Sequence, residues 1–315
     1  MSARRVGGWA TGLVLLAFTL LVSSFLVYAL TVLVPGDPAL ALFRARYGES
    51  AAPTAEQIDA IRREAGFDKS IPAQYAAWLG RAVGGDLGQS FTKRRPVLPL
   101  IVDRLPITLA LTLGALGIAL VLALPLGLLA GRSVGLSRVM LGITQLGLSI
   151  PDYVLAITLM LTFAVKLAVL PVSGWGSPAA FVLPIATLAL RPWATFTRLV
   201  MAGLDETLRA DWIRTARAKG LPEGLVLRRH ALRHTLLPVI SLLGATASSA
   251  LAGGLVAEVI FAIPGVGRLL YEAIGERDIP TVQACLLVQV SLAIVANWLA
   301  DVASRQVNPL LRARS

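Results

Sequence analysis

Long apolar runs recur along the chain and are separated by shorter polar stretches. About 20 consecutive apolar residues are enough for a helix to cross the hydrocarbon core of a bilayer. Six runs reach or approach that length, and they cover residues 9–34, 105–131, 139–165, 179–204, 235–257 and 279–300. The pattern predicts an all-α, polytopic membrane protein with six transmembrane helices.

Two polar stretches between these runs, 35–104 and 205–238, are longer than simple connections. We therefore expect a linear organisation in three parts. Residues 1–34 form an N-terminal segment with the first transmembrane helix, and 35–104 form a small helical segment on the outer side. Residues 105–315 form a core domain with five transmembrane helices that includes 205–238.

Helix signals mark the outer segment as structured. Thr54 and Gln57 have the spacing of a capping box, which predicts the start of one helix. A second helix is predicted to begin after Ser70 and to carry Tyr75 and Trp78. The segment is expected to form a small helical cap.

Composition and charge agree with a membrane protein. The chain is 56% hydrophobic and 15% charged, whereas soluble domains have about 25% charged residues. Its net charge of +11 comes largely from Lys and Arg at alternating ends of the apolar runs, as the positive-inside rule requires. The charge is therefore not a nucleic-acid signal, and it places both termini and 205–238 in the cytoplasm.

The stretch 205–238 is basic and has a predicted corner. With Arg198 it carries eight Lys and Arg residues. One helical stripe of small and apolar residues runs through Leu204, Leu208, Trp212, Ala216 and Gly220. Gly220 stands where a helix ends with a positive φ, and Pro222 prevents a straight continuation. A second short helix is predicted, with one face formed by Leu225, Leu232 and Leu236.

The letters IRTARAKGL and HALRHTLLPVI in this stretch are very similar to the cytoplasmic coupling segment of ABC-transporter permeases of the dipeptide/oligopeptide/nickel class. Ala216, Gly220 and Leu237-Pro238 fit the family pattern, whereas Arg214 and Thr215 replace its Glu and first Ala. The resemblance continues through SIPDYV, LPVSGW and FAIPGVGRLLYEAIGERDIPTVQ. GFDKSIPAQYAAWLGRAVGGDLGQSF resembles the outer loop of the partner with the long first loop.

The resemblance implies the type I permease fold of ABC importers and a transport subunit that moves di- or oligopeptides by alternating access. It also implies a second homologous permease as a heterodimer partner, two ATP-binding cassette ATPases and an external substrate-binding protein. The residues expected to couple to the ATPase are Asp211, Trp212, Ile213, Arg214, Thr215, Ala216, Arg217, Ala218, Lys219, Gly220 and Leu221. Among them, Trp212, Ile213 and Ala216 are expected to supply the apolar contact, and Arg214, Arg217 and Lys219 the charged one.

Motifs for bond chemistry are absent from the sequence. It has no Gly-x-x-x-x-Gly-Lys-Ser/Thr loop, so ATP and Mg are expected on partner ATPases, with no cofactor in this chain. His230 and His234 are four residues apart, but a zinc site would need further ligands, and no metal is expected. Cys285 is interpreted as a small buried hydrophobe. The chain is therefore expected to be a transport subunit and not an enzyme.

Arg191 is a charged residue inside the fourth apolar run. It is a candidate for the transport pathway, and the alternatives are snorkelling to the interface or pairing with Asp152.

Other functions also stay open at this point. Nickel chelates, glutathione or another small solute could be the cargo of the same kind of permease in a bacterial inner membrane. An ion-coupled secondary transporter is the rival from another class, and 205–238 could be a basic segment that rests on anionic lipid headgroups.

Overall fold

The computed structural model describes residues 2–32, 36–48 and 52–307. These ranges are helical and contain no β-strand, although Gln89 and Pro96 form one isolated antiparallel bridge. The helices are α1 (Ser2–Val32), α2 (Pro38–Tyr47), α3 (Ala55–Glu64), α4 (Ile71–Val83), α5 (Val97–Val102), α6 (Leu105–Ala130), α7 (Val134–Ser149), α8 (Asp152–Leu159), α9 (Val182–Leu208), α10 (Asp211–Ala218), α11 (Glu223–Leu225), α12 (Leu232–Ile260), α13 (Val266–Gly275) and α14 (Ile279–Val307).

 Two π-helical turns, Met160–Lys166 and Val226–Ala231, follow α8 (Asp152–Leu159) and α11, and a 3₁₀ turn, Pro178–Phe181, precedes α9.

Five of the six predicted membrane spans are continuous helical stretches in the structure. They cover Gly12–Leu30, Val97–Ala130, Pro178–Leu208, Glu223–Ile260 and Ile279–Gln306. The third, predicted as one helix over 139–165, is instead divided into α7 and the stretch Asp152–Lys166, which meet at an angle of 96°. Ile150 is extended, with ψ at 123°, because the ring of Pro151 disfavours a helical conformation in the residue before it.

The chain divides into two compact units, each assembled from separated stretches. Met1–Thr108 with Pro264–Ile294 form the first unit, and Leu109–Ile263 with Val295–Ser315 form the second. This contact-based division is not linear, and the three linear parts expected from the sequence stay a prediction.

In the first unit, the outer segment is fastened to α1 by aromatic side chains. Tyr75 and Trp78 on α4 are buried against Tyr28 of α1, and the hydroxyl oxygens of Ser24 and Tyr75 lie 2.7 Å apart. The predicted capping box of α3 is confirmed, since Thr54 and Gln57 exchange side-chain to backbone hydrogen bonds. The outer segment is therefore a structured, anchored element.

An ion pair also joins α2 and α3, the first two helices of the outer segment. Arg46 donates two hydrogen bonds to the Glu64 carboxylate, both at 3.0 Å. These bonds and the adjacent positive charge hold the pKa of Glu64 below its ordinary value.

Asp278 ties the loop before α5 to the corner between α13 and α14. Its carboxylate is buried and accepts hydrogen bonds from the hydroxyls of Ser90, Thr92 and Thr281. The backbone N–H of Phe91 donates a further bond at 3.0 Å. These donors satisfy the hydrogen-bonding capacity of the buried carboxylate, so Asp278 holds this part of the first unit together.

The second unit is built around α9, which packs against α7 and α12. Glycines allow the helices to approach closely. A Cβ at Gly127 would lie 2.7 Å from Cβ of Val200, and one at Gly244 would lie 2.6 Å from Cα of Asn297. Small residues at helix contacts are the usual means of close packing in membranes.

Candidate coupling segment and membrane cavity

The segment 205–238 begins with a break that the sequence pattern does not show. α9 ends at Leu208, and α10 begins at Asp211 after the extended residue Ala210, whose ψ is 147°. The single helix predicted from Leu204 to Gly220 is therefore wrong, and its stripe is divided between two helices. The break makes α10 a helix separate from α9.

The predicted corner at Gly220 is confirmed, with φ at +77°. The N–H of Gly220 bonds to the carbonyl of Arg217 at 2.9 Å, and the N–H of Leu221 bonds to that of Ala216 at 3.4 Å. These two bonds are the Schellman pattern at a helix C-terminus. Pro222 then caps the next helical stretch with extended geometry, so the chain turns sharply at this point.

One face of α10 is buried within the chain itself. Ile213 and Ala216 are 0% and 6% exposed, in a cluster with Leu204, Val226 and Ala231. The expectation that Ile213 and Ala216 supply an apolar contact to a partner is therefore corrected. They instead pack α10 against the ends of the spans on either side of it.

The opposite face of α10 is open to solvent. Trp212 is 53% exposed, and its ring lies 5.5 Å from that of His234. The remaining expected coupling positions on this face are also exposed, namely Asp211, Arg214, Thr215, Arg217, Ala218, Lys219 and Gly220. Leu221 is half-buried and packs against the internal cluster. The exposed surface of 211–220 thus combines one aromatic ring with three basic residues and one acidic residue.

Arg217 has an intrachain partner that sequence reasoning missed. Its Nε donates to Oε1 of Glu223 at 2.6 Å, and Nη2 donates to Oε2 at 3.4 Å. The pair crosses the Gly220 corner. It links α10, the first limb of the corner, to the stretch that begins with α11, the second limb. Arg217 is therefore part of the corner as well as of the exposed surface.

The second limb is not the separate short helix that the sequence pattern predicts. It runs from α11 through the π-helical turn into α12, so that one apolar stretch extends over Glu223–Ile260. The buried positions are Val226, Ala231, Thr235 and Val239, with one spacing of five before the spacings of four. A π turn adds one residue per turn, and this moves the buried stripe away from the predicted Leu225, Leu232 and Leu236.

Arg191 and Asp152 meet at a cavity of about 250 Å³ in the second unit. Nη1 of Arg191 lies 3.9 Å from Oδ1 of Asp152. The pairing alternative from the sequence is therefore correct, and the pathway role stays a prediction. Polar side chains on the cavity wall are Thr195, Thr246 and Ser249.

The described residues contain no group of three or more His, Cys, Asp or Glu side chains that could hold a metal ion. His234 contacts Trp212, and Cys285 is fully buried.

Apolar helical spans joined by an exposed basic corner define a multi-pass membrane protein. Comparison with known families gives the same class and refines it. The chain belongs to the family described as the inner membrane component of binding-protein-dependent transport systems, whose profile matches residues 123–313. The profile of the N-terminal part of such membrane components matches residues 10–112. It is therefore a permease subunit of an ABC importer, a multi-pass inner membrane protein that works with ATPase and permease partners.

Two relatives illustrate the similarity. The glutathione transport system permease protein GsiC of Pectobacterium atrosepticum is 35% identical over 296 residues, covering 93% of this chain and 95% of the relative. A putative peptide permease protein of Brucella suis biovar 1 is 34% identical over 306 residues, with the same coverage. These similarities place the chain in the dipeptide/oligopeptide class of permeases.

Two solved structures share the fold. An inward-facing form of the MetNI methionine ABC transporter superposes with a TM-score of 0.57 at 20% identity, covering 66% of this chain and 96% of that one. An amino acid ABC transporter crystallised with histidines gives 0.54 at 17% identity, covering 66% and 94%. At these identities the comparison establishes the permease fold.

Proposed function

We propose that this permease carries short peptides across the inner membrane. The observation that carries the proposal is the match, over 93% of the chain, to relatives named as peptide and glutathione permeases. Glutathione is itself a tripeptide, so both names describe one chemical class of cargo. The chain forms a heterodimer with a second permease, together with two ATPases that bind ATP and Mg and an external substrate-binding protein.

The exposed face of α10 docks on an ATPase in this proposal. Trp212 is the apolar anchor, and Arg214 and Lys219 add positive charge around it. Because Ile213 and Ala216 pack against residues at the ends of α9 and of the following limb, a displacement of α10 is transmitted to spans four and five. Closure of the ATPases on ATP thereby opens the permease outward, and hydrolysis resets it.

The test is uptake of radiolabelled dialanine into proteoliposomes that contain the complex purified through a tag on this chain, with its binding protein added outside. We expect uptake that needs ATP and Mg inside the vesicles and stops with vanadate. Uptake driven by an ion gradient without ATP would identify a secondary transporter and contradict the proposal.

Glutathione is the second candidate cargo, because one of the relatives is named for it. Competition against labelled dialanine by unlabelled glutathione and by a nickel chelate tests which of these solutes share the transport route. We expect dialanine and glutathione to compete and the nickel chelate to have no effect. Competition by the nickel chelate alone would assign the chain to metal-chelate transport.

A further inference from the structure

The charged pair Arg191–Asp152 lies in an unusual place for two ionised groups. Arg191 stands near the middle of the stretch Pro178–Leu208 that forms span four. With a rise of about 1.5 Å per residue, Arg191 is roughly 20 Å from the nearer end of that stretch. Charged residues at such depth are costly and are retained where they face a partner or a wet cavity. Arg191 and Asp152 are partners of each other, and both line the 250 Å³ cavity.

The geometry of the pair leaves room for a third polar group. Its N–O distance of 3.9 Å is longer than the roughly 2.7–2.9 Å of a charge-assisted hydrogen bond. The side chains of Arg191 and Asp152 are 50% and 27% exposed. Within the described residues, Arg191 donates no hydrogen bond to another side chain or carbonyl. Most of its five N–H donors are therefore available to a ligand.

The walls of the cavity fit a small polar molecule. Thr195 and Ser249 contribute hydroxyls, while Leu188 and Leu242 contribute apolar surface. A Cβ at Gly253 would lie 3.4 Å from Oδ2 of Asp152, so the absent side chain at this position leaves space beside the carboxylate. The volume is slightly below the usual range of about 300–1,000 Å³ for pockets that enclose drug-sized ligands. It suits a single small zwitterion.

We propose that this cavity is a recognition site for the charged termini of a short peptide within the permease. Asp152 receives the peptide's free ammonium group, and Arg191 receives its free carboxylate. A zwitterion replaces one weak ion pair by two closer ones, so the two protein charges stay compensated while it is bound. The inference rests on the proposed function and adds a selectivity for unblocked peptides to it.

The test is equilibrium binding of radiolabelled dialanine to the detergent-solubilised complex without its binding protein. The competitors are unlabelled dialanine, N-acetyl-dialanine and dialanine amide. Dialanine has both termini free, the acetyl form has a blocked amino group, and the amide has a blocked carboxylate. The wild type is expected to bind dialanine roughly 10- to 100-fold more tightly than either blocked form, as expected for one lost hydrogen bond to a charged group.

Two substitutions separate the roles of the two charges. Asp152→Asn is expected to abolish the preference for a free amino group and to keep the preference for a free carboxylate. Arg191→Gln is expected to do the reverse. Gly253→Val keeps both charges but narrows the cavity, and it should weaken binding of all three compounds. Arg198→Gln on the same helix and Asp301→Asn, both outside the cavity, should retain the wild-type preferences.

A purely structural ion pair predicts a different result. Both neutralising variants would then change binding of the three compounds by the same factor, and this outcome would overturn the proposal. Wild-type complex that binds no dialanine would overturn it as well. The complex could also show the two expected binding preferences, for a free amino group and for a free carboxylate, without ATP-driven uptake of any peptide. That result would support the recognition site and contradict only the proposed transport function.

Discussion

At Gly220 a single backbone dihedral shapes the corner of the coupling segment. Its φ of +77° closes the Schellman pattern at the end of α10, and no atom lies within 4 Å of where a Cβ would be. The requirement for glycine is therefore conformational and not a matter of space. Asn tolerates this region of φ and ψ better than other residues with a Cβ.

The first prediction concerns this dihedral. Gly220→Val should cost roughly 1–3 kcal/mol of local strain and misdirect α10, so that less ATPase copurifies with the chain. Gly224→Val is the matched control, because Gly224 lies four residues away with open space and no positive φ. Gly220→Asn should behave closer to wild type. Full ATPase retention and normal uptake by Gly220→Val would refute the role of the corner.

Arg217 and Glu223 offer a second test at the same scale. Arg217→Glu places two carboxylates on either side of the corner, and repulsion should reduce ATPase copurification. The exchange variant Arg217→Glu with Glu223→Arg restores an opposite-charge pair and should recover retention. If the exchange variant stays as weak as the single one, Arg217 acts on the ATPase directly and the intrachain pair is unimportant.

The two faces of α10 have different roles. Ile213 is buried against the chain, whereas Trp212, its neighbour, is exposed. Ile213→Ala should lower the stability of the segment by about 2–5 kcal/mol, the usual cost of such a truncation in a core. Limited proteolysis around 209–222 would detect the loosened segment. Trp212→Ala should leave the proteolysis pattern unchanged and still weaken ATPase binding. The reverse assignment of the two effects would contradict the division of faces.

The outer segment is an element with its own internal contacts. Because Tyr75 and Trp78 pack on α1, we expect a fixed cap that serves the binding protein. Deleting residues 54–84 should leave the membrane spans inserted, since their apolar runs are unchanged, and should abolish uptake. Membrane fractionation and transport assays measure the two effects. Normal uptake by the deletion would make the cap dispensable.

At the scale of the whole molecule, the distribution of Lys and Arg predicts the topology. Reporter fusions after Arg217 and Arg312 should signal from the cytoplasm, and a fusion at Ala60 from the outer side. Fusions at Ser133, in the connection between α6 and α7, should also signal from the cytoplasm and serve as an internal control. An external signal at Arg217 would invalidate the arrangement of six spans.

The sequence alone determined the features that depend on local physics. Apolar runs long enough for a bilayer predicted the spans, the pair Thr54 and Gln57 predicted a capped helix, and Gly220 before Pro222 predicted the corner. Each of these depends on a few neighbouring residues or on the solvent around a helix. The resemblance in 205–238 identified the family for the same reason, since its motif consists of contiguous residues.

Only the tertiary structure decided which face of each helix is buried and which charges meet. Ile213 and Ala216 face inward because Val226 and Ala231 pack on them, and the π turn at Val226–Ala231 shifts the stripe by one residue. The meeting of Arg191 with Asp152 depends on how α8 packs against α9. Such outcomes follow from packing between helices, and a hydrophobic pattern along one chain contains no information on the partner that each helix meets.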